Sequence, residues 1–183
     1  MKPFEPCFLV ASPDLRDENF AETVVFLMEH NKEGSFGLIV NRPTPYTIGD
    51  IWKELTQKEY AIDDPIYLGG PVEGPLMALH ARSLHSEREI LPGLYWTTQK
   101  HDLESLVETY EPPLLLFNGY SGWGTGQLDH EVAQGSWLFT PAQKELLFES
   151  KQDLWKRLIA GVGESFMRNL SRVQTLPGDP SAN

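Results

Sequence analysis

The sequence predicts a single mixed α+β domain, and three features lead to that expectation. Apolar, β-branched runs of strand length recur at Cys7–Ala11, Thr23–Glu29, Phe36–Val40 and Leu114–Phe117. Apolar stripes at i, i+3, i+4 and i+7 mark helices between and after them. The early strands read as a hairpin and the later ones alternate with helices, without the regular rhythm of a doubly wound sheet. The length of 183 residues suits one domain, read as 1–172, with 173–183 a disordered tail that two prolines and a glycine interrupt.

Each element has its own local reason. Cys7–Ala11 is a short buried strand, and Ser12 to Asn19 is a loop, because Pro13 restricts its neighbour and the acidic and amide side chains favour turns. Thr23–Glu29 and Phe36–Val40 flank the polar turn Asn31–Ser35 with its Gly34, which makes a hairpin. Asn41-Arg42-Pro43-Thr44-Pro45 should end it, since proline cannot donate to a ladder. Thr47 and Asp50 form a variant capping box, and Ile48, Ile51, Trp52 and Leu55 give the helix that follows its apolar stripe. Pro65–Leu68, Leu76–His80 and Leu94–Thr97 read as strands, with 81–93 a loop or hairpin tip. Asp102–Tyr110 is a helix turning Leu103, Leu106 and Val107 inward, and the unbroken run Leu114–Phe117 is a central strand. A glycine-rich turn, a helix over 125–134, a strand at Trp137–Phe139 and two C-terminal helical segments complete the chain, the last over 153–170 with Leu154, Leu158, Ile159, Val162 and Phe166 on one side.

Charge narrows the function. Fifteen Lys and Arg against 26 Asp and Glu give a net charge of −11, which opposes a general nucleic-acid binder and docking on anionic lipid. From His101 to Gln143 there is no Lys or Arg. No apolar run approaches the roughly 20 residues needed to span a bilayer. The Pro and Glu of the first six residues do not suit a signal peptide, so a cytoplasmic setting is expected. The single Cys7 excludes an internal disulfide and a cysteine-cluster zinc site, and its apolar neighbours suggest a buried, inert thiol.

The most unusual stretch is Gly119-Tyr120-Ser121-Gly122-Trp123-Gly124-Thr125-Gly126-Gln127. Its place between a strand and a helix resembles that of a phosphate loop, yet it holds no cation and its glycine spacing fits neither the Walker nor the dinucleotide pattern. It also falls short of a nucleophile elbow at Ser121, because Trp123 stands where that pattern needs glycine. Glycines allowing a tight, Trp-anchored turn are the better reading. Gln127 and Glu131 share a helix face beside this loop. The five histidines, 30, 80, 85, 101 and 130, show no metal-ligand spacing; His30 and His80 end apolar strands, where a hydrogen-bonded role is expected. Asp14, Asp17 and Glu18 lack the glycine and terminal glutamate of a calcium loop. Arg42 is expected to pair with a carboxylate, or else to hold an anionic ligand. The sequence therefore predicts no metal and no cofactor.

Several of these motifs occur together in one order. Leu9-Val10-Ala11-Ser12-Pro13, Leu15, Asp17 and Phe20 come first, then Glu29-His30, Gly34, Gly37 and Asn41-Arg42-Pro43. Gly69-Gly70-Pro71-Val72 and Leu79-His80 follow, then Gly119–Leu128, Glu131 and Trp137-Leu138. Over residues 8–170 the chain resembles the bacterial YqgE/AlgH family. That resemblance implies one α+β domain with a mixed, partly closed, barrel-like sheet surrounded by helices. It supplies no agreed catalytic residues, and Asp129 stands where the family often has glutamate. One branch is named for transcriptional regulation of alginate synthesis.

Three readings follow. The first is a binding or regulatory module for a protein or small-molecule partner, with a surface built from Ser12, Asp17, Asn41, Arg42, Gly69, Gly70, His80, Gly119, Ser121, Gly122, Trp123, Gly124, Gln127 and Glu131. The second is an enzyme working around Ser121 with His30 or His80, which requires a base within about 3.2 Å of a nucleophile. The third is transcriptional regulation, made indirect by the charge of −11.

Overall fold

The computed structural model describes residues 4–162, so Phe166 and the expected tail at 173–183 lie outside the described residues. Strands β1 (Cys7–Ala11), β2 (Val24–Asn31), β3 (Gly34–Ile39), β10 (Ser121–Gly124) and β11 (Trp137–Pro141) form one antiparallel sheet in the order β10-β3-β2-β1-β11. Strands β4 (Pro43–Thr47), β5 (Pro65–Leu68), β6 (Met77–His80), β7 (Arg88–Leu91), β8 (Leu94–Thr97) and β9 (Leu114–Asn118) form the second, in the order β4-β5-β9-β6-β8-β7. Only β5 and β9 run parallel there. The helices are α1 (Ile48–Thr56), α2 (Lys100–Glu108), α3 (Gln127–Ala133), α4 (Lys144–Phe148) and α5, helical over 154–162. The α+β class holds, but the strands make two open sheets in place of one that curls shut.

Alternation along the strands shows how the layers stack. Phe8, Val24, Phe26, Met28 and Leu38 of the first sheet share a core with Met77, Leu79, Leu94 and Phe117 of the second, and Leu147 and Leu154 join it. The opposite face of the second sheet, through Ala78, Leu114 and Leu116, packs on Trp52 of α1 and on Leu103, Leu106 and Val107 of α2. The opposite face of the first sheet, through Leu9, Val25, Leu27 and Ile39, meets Trp123, Leu128 and Trp137. Both sheets are therefore buried on two sides, each fully buried apolar side chain contributing about 1.5–3 kcal/mol.

Four local expectations change. Pro43 and Pro45 do not stop the chain from pairing; they start β4, which lies at a sheet edge, where a missing N–H is harmless. The glycine-rich stretch is an edge strand, β10, whose residues 121–124 pair with residues 37–34 of β3. Residues 81–93 contain β7, paired with β8. Leu55 leaves the core and is 68% exposed, whereas Ile48 and Trp52 are buried as the stripe requires. The Thr47–Asp50 capping box is present in full.

Two crossings join the sheets: residues 40–42 lead from β3 to β4, and a tighter one leads from β9 back to β10. Asn118 ends β9 in the second sheet and Ser121 begins β10 in the first, so the chain changes sheets within Gly119-Tyr120. Gly119 makes the bend in the left-handed region, at φ 72°. The Gly69-Gly70 backbone lies directly against it: a β-carbon on Gly69 would come within 2.3 Å of the Gly119 carbonyl oxygen. The Ile39 N–H donates across the junction to the Gly69 carbonyl at 2.8 Å. Gly69→Ala is expected to lower stability by about 1–3 kcal/mol through this clash, and Gly124→Ala, which meets nothing within 4 Å, by no more than about 0.5 kcal/mol. Denaturant titration of the two variants checks this.

Candidate functional site

The motif loops are brought together, largely by bonding to one another. Ser12 accepts the Asp14 N–H on its hydroxyl, and its own N–H donates to Ser136. Asp17 accepts the Asn19 N–H at 2.8 Å. Asn41 donates to the Glu22 carbonyl and accepts the Val24 N–H. Among the described residues Arg42 reaches no carboxylate; its guanidinium donates to the carbonyls of Glu18, Asn19 and Ala21, because the 18–21 turn closes over it with its oxygens inward. The Arg42 carbonyl in turn accepts the Leu68 N–H, which leads into Gly69-Gly70 and the crossing.

Glu131 is the polar centre of this region. One carboxylate oxygen accepts both the Trp123 indole N–H at 2.9 Å and the Trp137 indole N–H at 2.8 Å. The other accepts the Gln127 amide at 2.9 Å, and Gln127 accepts the Gly124 N–H. Phe20 stacks on Trp123 at 5.7 Å and meets Trp137 edge-on at 5.4 Å. Hydrogen bonds to a charged acceptor contribute about 1.5–3 kcal/mol each, so this carboxylate ties α3 to β10, β11 and the Phe20 turn. The helix-face spacing of Gln127 and Glu131 was legible; the part of Trp137 and Phe20 was not, since neither is near Glu131 in register or on its helix.

Much of the expected binding surface is buried. Ser121 is 0% exposed and donates to the Gly69 carbonyl at 3.1 Å, so it stitches the crossing and offers no nucleophile. Gly69, Gly70, Gly119 and Trp123 are also buried, while Asp17, Gly122, Gly124 and Gln127 face solvent. His80 lies apart at the end of β6, buried, accepting the Arg82 N–H on Nδ1 with no partner for Nε2 among the described residues. Cys7 is half-buried, and burial pushes its thiol up to about 11. Among the described residues, no three His, Cys, Asp or Glu side chains converge to hold a metal ion. Likewise, no described helix is long and apolar enough to cross a membrane.

His30 meets the distance requirement with a different hydroxyl. Its Nδ1 lies 2.8 Å from Ser35 Oγ, its partner across the β2–β3 hairpin, and its Nε2 lies 3.4 Å from Asp129 of α3.

A second feature has no single sequence signal. A cleft of about 290 Å³ opens where the two sheets meet, with Glu29 and Phe36 from the first sheet and Met77, Arg88 and Trp96 from the second. Tyr120 of the crossing completes it. Phe36 packs against Tyr120 at 5.3 Å and against Trp96 at 6.3 Å. Arg88 bonds to Glu29 across the junction and lies 5.7 Å over the Trp96 ring. These residues come from five strands and one turn, so only the register places them together: Arg88 sits directly opposite Trp96, and Glu29 follows an irregularity that turns it toward Phe36.

Comparison with known proteins agrees with this architecture. The AlgH-like family model matches residues 8–167. The chain belongs to the AlgH-like family. A UPF0301 protein of Myxococcus xanthus is 38% identical over 172 residues, covering 89% of this chain and 93% of its own. A UPF0301 protein of Chlorobium chlorochromatii is 32% identical over 177 residues, covering 93% and 92%. The solution structure of AlgH from Pseudomonas aeruginosa superposes with a TM-score of 0.71 at 32% identity, covering 98% of this chain and all of that one (100%). A Corynebacterium diphtheriae crystal structure at 21% identity and TM-score 0.68, covering 86% of each chain, shares the fold.

The buried histidine gives this AlgH-like chain a defined response to pH. Burial, with Arg82 and His85 nearby, holds His80 down at about 4 from its usual 6.5. The unfolded chain takes up that proton near pH 6.5 and the folded chain only near pH 4, so unfolding binds a proton between these values. Stability is therefore full above pH 6.5 and falls as pH drops toward 4, by about 3 kcal/mol from this residue. In denaturant titrations at pH 7 and pH 4, His80→Gln should lose less stability than the wild type by about that amount.

Proposed function

We propose that the protein is a binding module that takes a small ligand in the cleft between its sheets. The observation that carries this is the division of labour among the side chains. Most motif residues are engaged in holding the fold together, whereas Phe36, Trp96 and Tyr120 are partly exposed around an open hollow. Ligand sites are concave, mostly apolar and furnished with a few polar groups, and Glu29 and Arg88 supply them here. A soluble, cytoplasmic setting suits the charge of −11. Any regulatory role would then pass through the ligand or a protein partner, without DNA contact. A ligand present at a hundred times its Kd stabilises the folded state by about 2.7 kcal/mol. In a thermal-shift screen of metabolites, some compounds should raise the wild-type melting temperature and leave Trp96→Leu unmoved. A library that shifts neither protein, or both equally, would sink the proposal.

A catalytic reading has one observation in its favour, the Ser35–His30–Asp129 chain beside an apolar hollow of about 310 Å³ that His30 and Asp129 help to line. Ser35 Oγ would bond to an acyl or phosphonyl centre as its proton passes to His30 Nδ1, and the bond to the leaving group would break with that proton handed on to it, Asp129 facing Nε2. It ranks second because Ser35 sits mid-ladder, paired with β2 on one side and β10 on the other. On this reading a fluorophosphonate probe labels Ser35, and labelling falls in His30→Ala; an unlabelled wild type retires it.

A further inference from the structure

Resting on the cleft as the binding site, we infer that it selects an uncharged planar nitrogen heterocycle whose edge carries a donor beside an acceptor, as the lactam edge of a nucleobase does. Three aromatic side chains from both sheets border one hollow, and flat rings gain most from such walls. The guanidinium of Arg88 over the Trp96 face adds a further flat layer.

The polar groups set the edge. Glu29 is an acceptor and Arg88 a donor, held next to each other by their ion pair. A ligand edge with N–H beside C=O gives each of them its complement. The pair also opens cheaply. Each side chain is 43% exposed, and ion pairs at such exposure contribute little stability, so inserting a ligand between them forfeits little.

Charge excludes other classes. Among the described residues lining the cleft, Arg88 is the one cation, and Glu29 already neutralises it. A phosphate would therefore meet no free positive charge, inside a protein of net charge −11. A bare cation would meet one carboxylate and aromatic carbon, which is no ligand set for a metal. A neutral ring satisfies the site without leaving a charge unpaired.

The test uses inosine, whose N1–H adjoins its C6 carbonyl, and 1-methylinosine, in which that donor is blocked. Binding to the whole chain is read by tryptophan fluorescence and by amide shifts of cleft residues. Inosine should bind, 1-methylinosine should bind roughly tenfold more weakly, and Glu29→Gln should weaken inosine by a similar factor. Inosine monophosphate should bind no more tightly than inosine. Circular dichroism confirms that Glu29→Gln and Trp96→Leu are folded. Equal affinity for inosine and its methylated form, or full affinity in Glu29→Gln, overturns the inference. If inosine leaves the cleft unperturbed while another compound from the screen binds there and is lost in Trp96→Leu, the heterocycle class is wrong and the cleft stands. If no compound of any class perturbs the cleft, both fall.

Discussion

The close backbone approach of Gly69-Gly70 to Gly119-Tyr120 is the constraint on which the other features rest. Two sheets that face each other need points where the chain passes between them, and the tighter of the two here takes only two residues. A side chain at Gly69 would meet the Gly119 carbonyl oxygen, and one at Gly70 would meet the Tyr120 backbone, so both strands come within reach only because they are bare. That proximity lets Ser121 and the Ile39 amide share the Gly69 carbonyl, and it seats Tyr120 in the wall of the cleft. The glycine motif that tempts a phosphate-loop reading is thus a packing device. It lies at a sheet edge and holds no cation.

Two carboxylates show how place decides role. Glu131 receives two indoles and an amide, and its charge is fully used in joining a helix to two strands. Glu29 faces one guanidinium at a half-exposed rim, where the bond is weak enough to be exchanged. The first is structural in the strict sense that removing it would strand buried donors. The second is available to a ligand. Sequence spacing distinguishes neither, because both occur in motif segments.

What the sequence disclosed follows from the range of the interactions involved. Strand and helix positions were legible where patterning is local: Cys7–Ala11, Pro65–Leu68 and Leu94–Thr97 match the structure end to end, and the Thr47–Asp50 cap is complete within four residues. Among the motif residues, Arg42, Gly69 and Ser121 are linked through hydrogen bonds at the sheet junction, and Glu131 holds the neighbouring Trp123. Their role was harder to read, because burial depends on what packs above them. Arg42 illustrates this: its partners are backbone oxygens of a turn, which side-chain composition does not announce. The cleft was hidden for the same reason, being assembled by register between strands more than fifty residues apart, as the Arg88–Glu29 pair is at a separation of 59.

The order of strands in the first sheet bears on how the molecule comes into being. β1 lies between β2 and β11, and Cys7 pairs with Leu27 on one side but with Pro141 on the other. During synthesis the β2–β3 hairpin and its bond to β1 can form early. The outer flank of β1 stays unpaired until the ribosome has released residues 137–141. The second sheet is built almost wholly within that interval, from residue 43 to residue 118. The nascent chain therefore holds an apolar, half-finished sheet throughout the making of the second, a topology that slows folding and leaves a sheet edge exposed meanwhile.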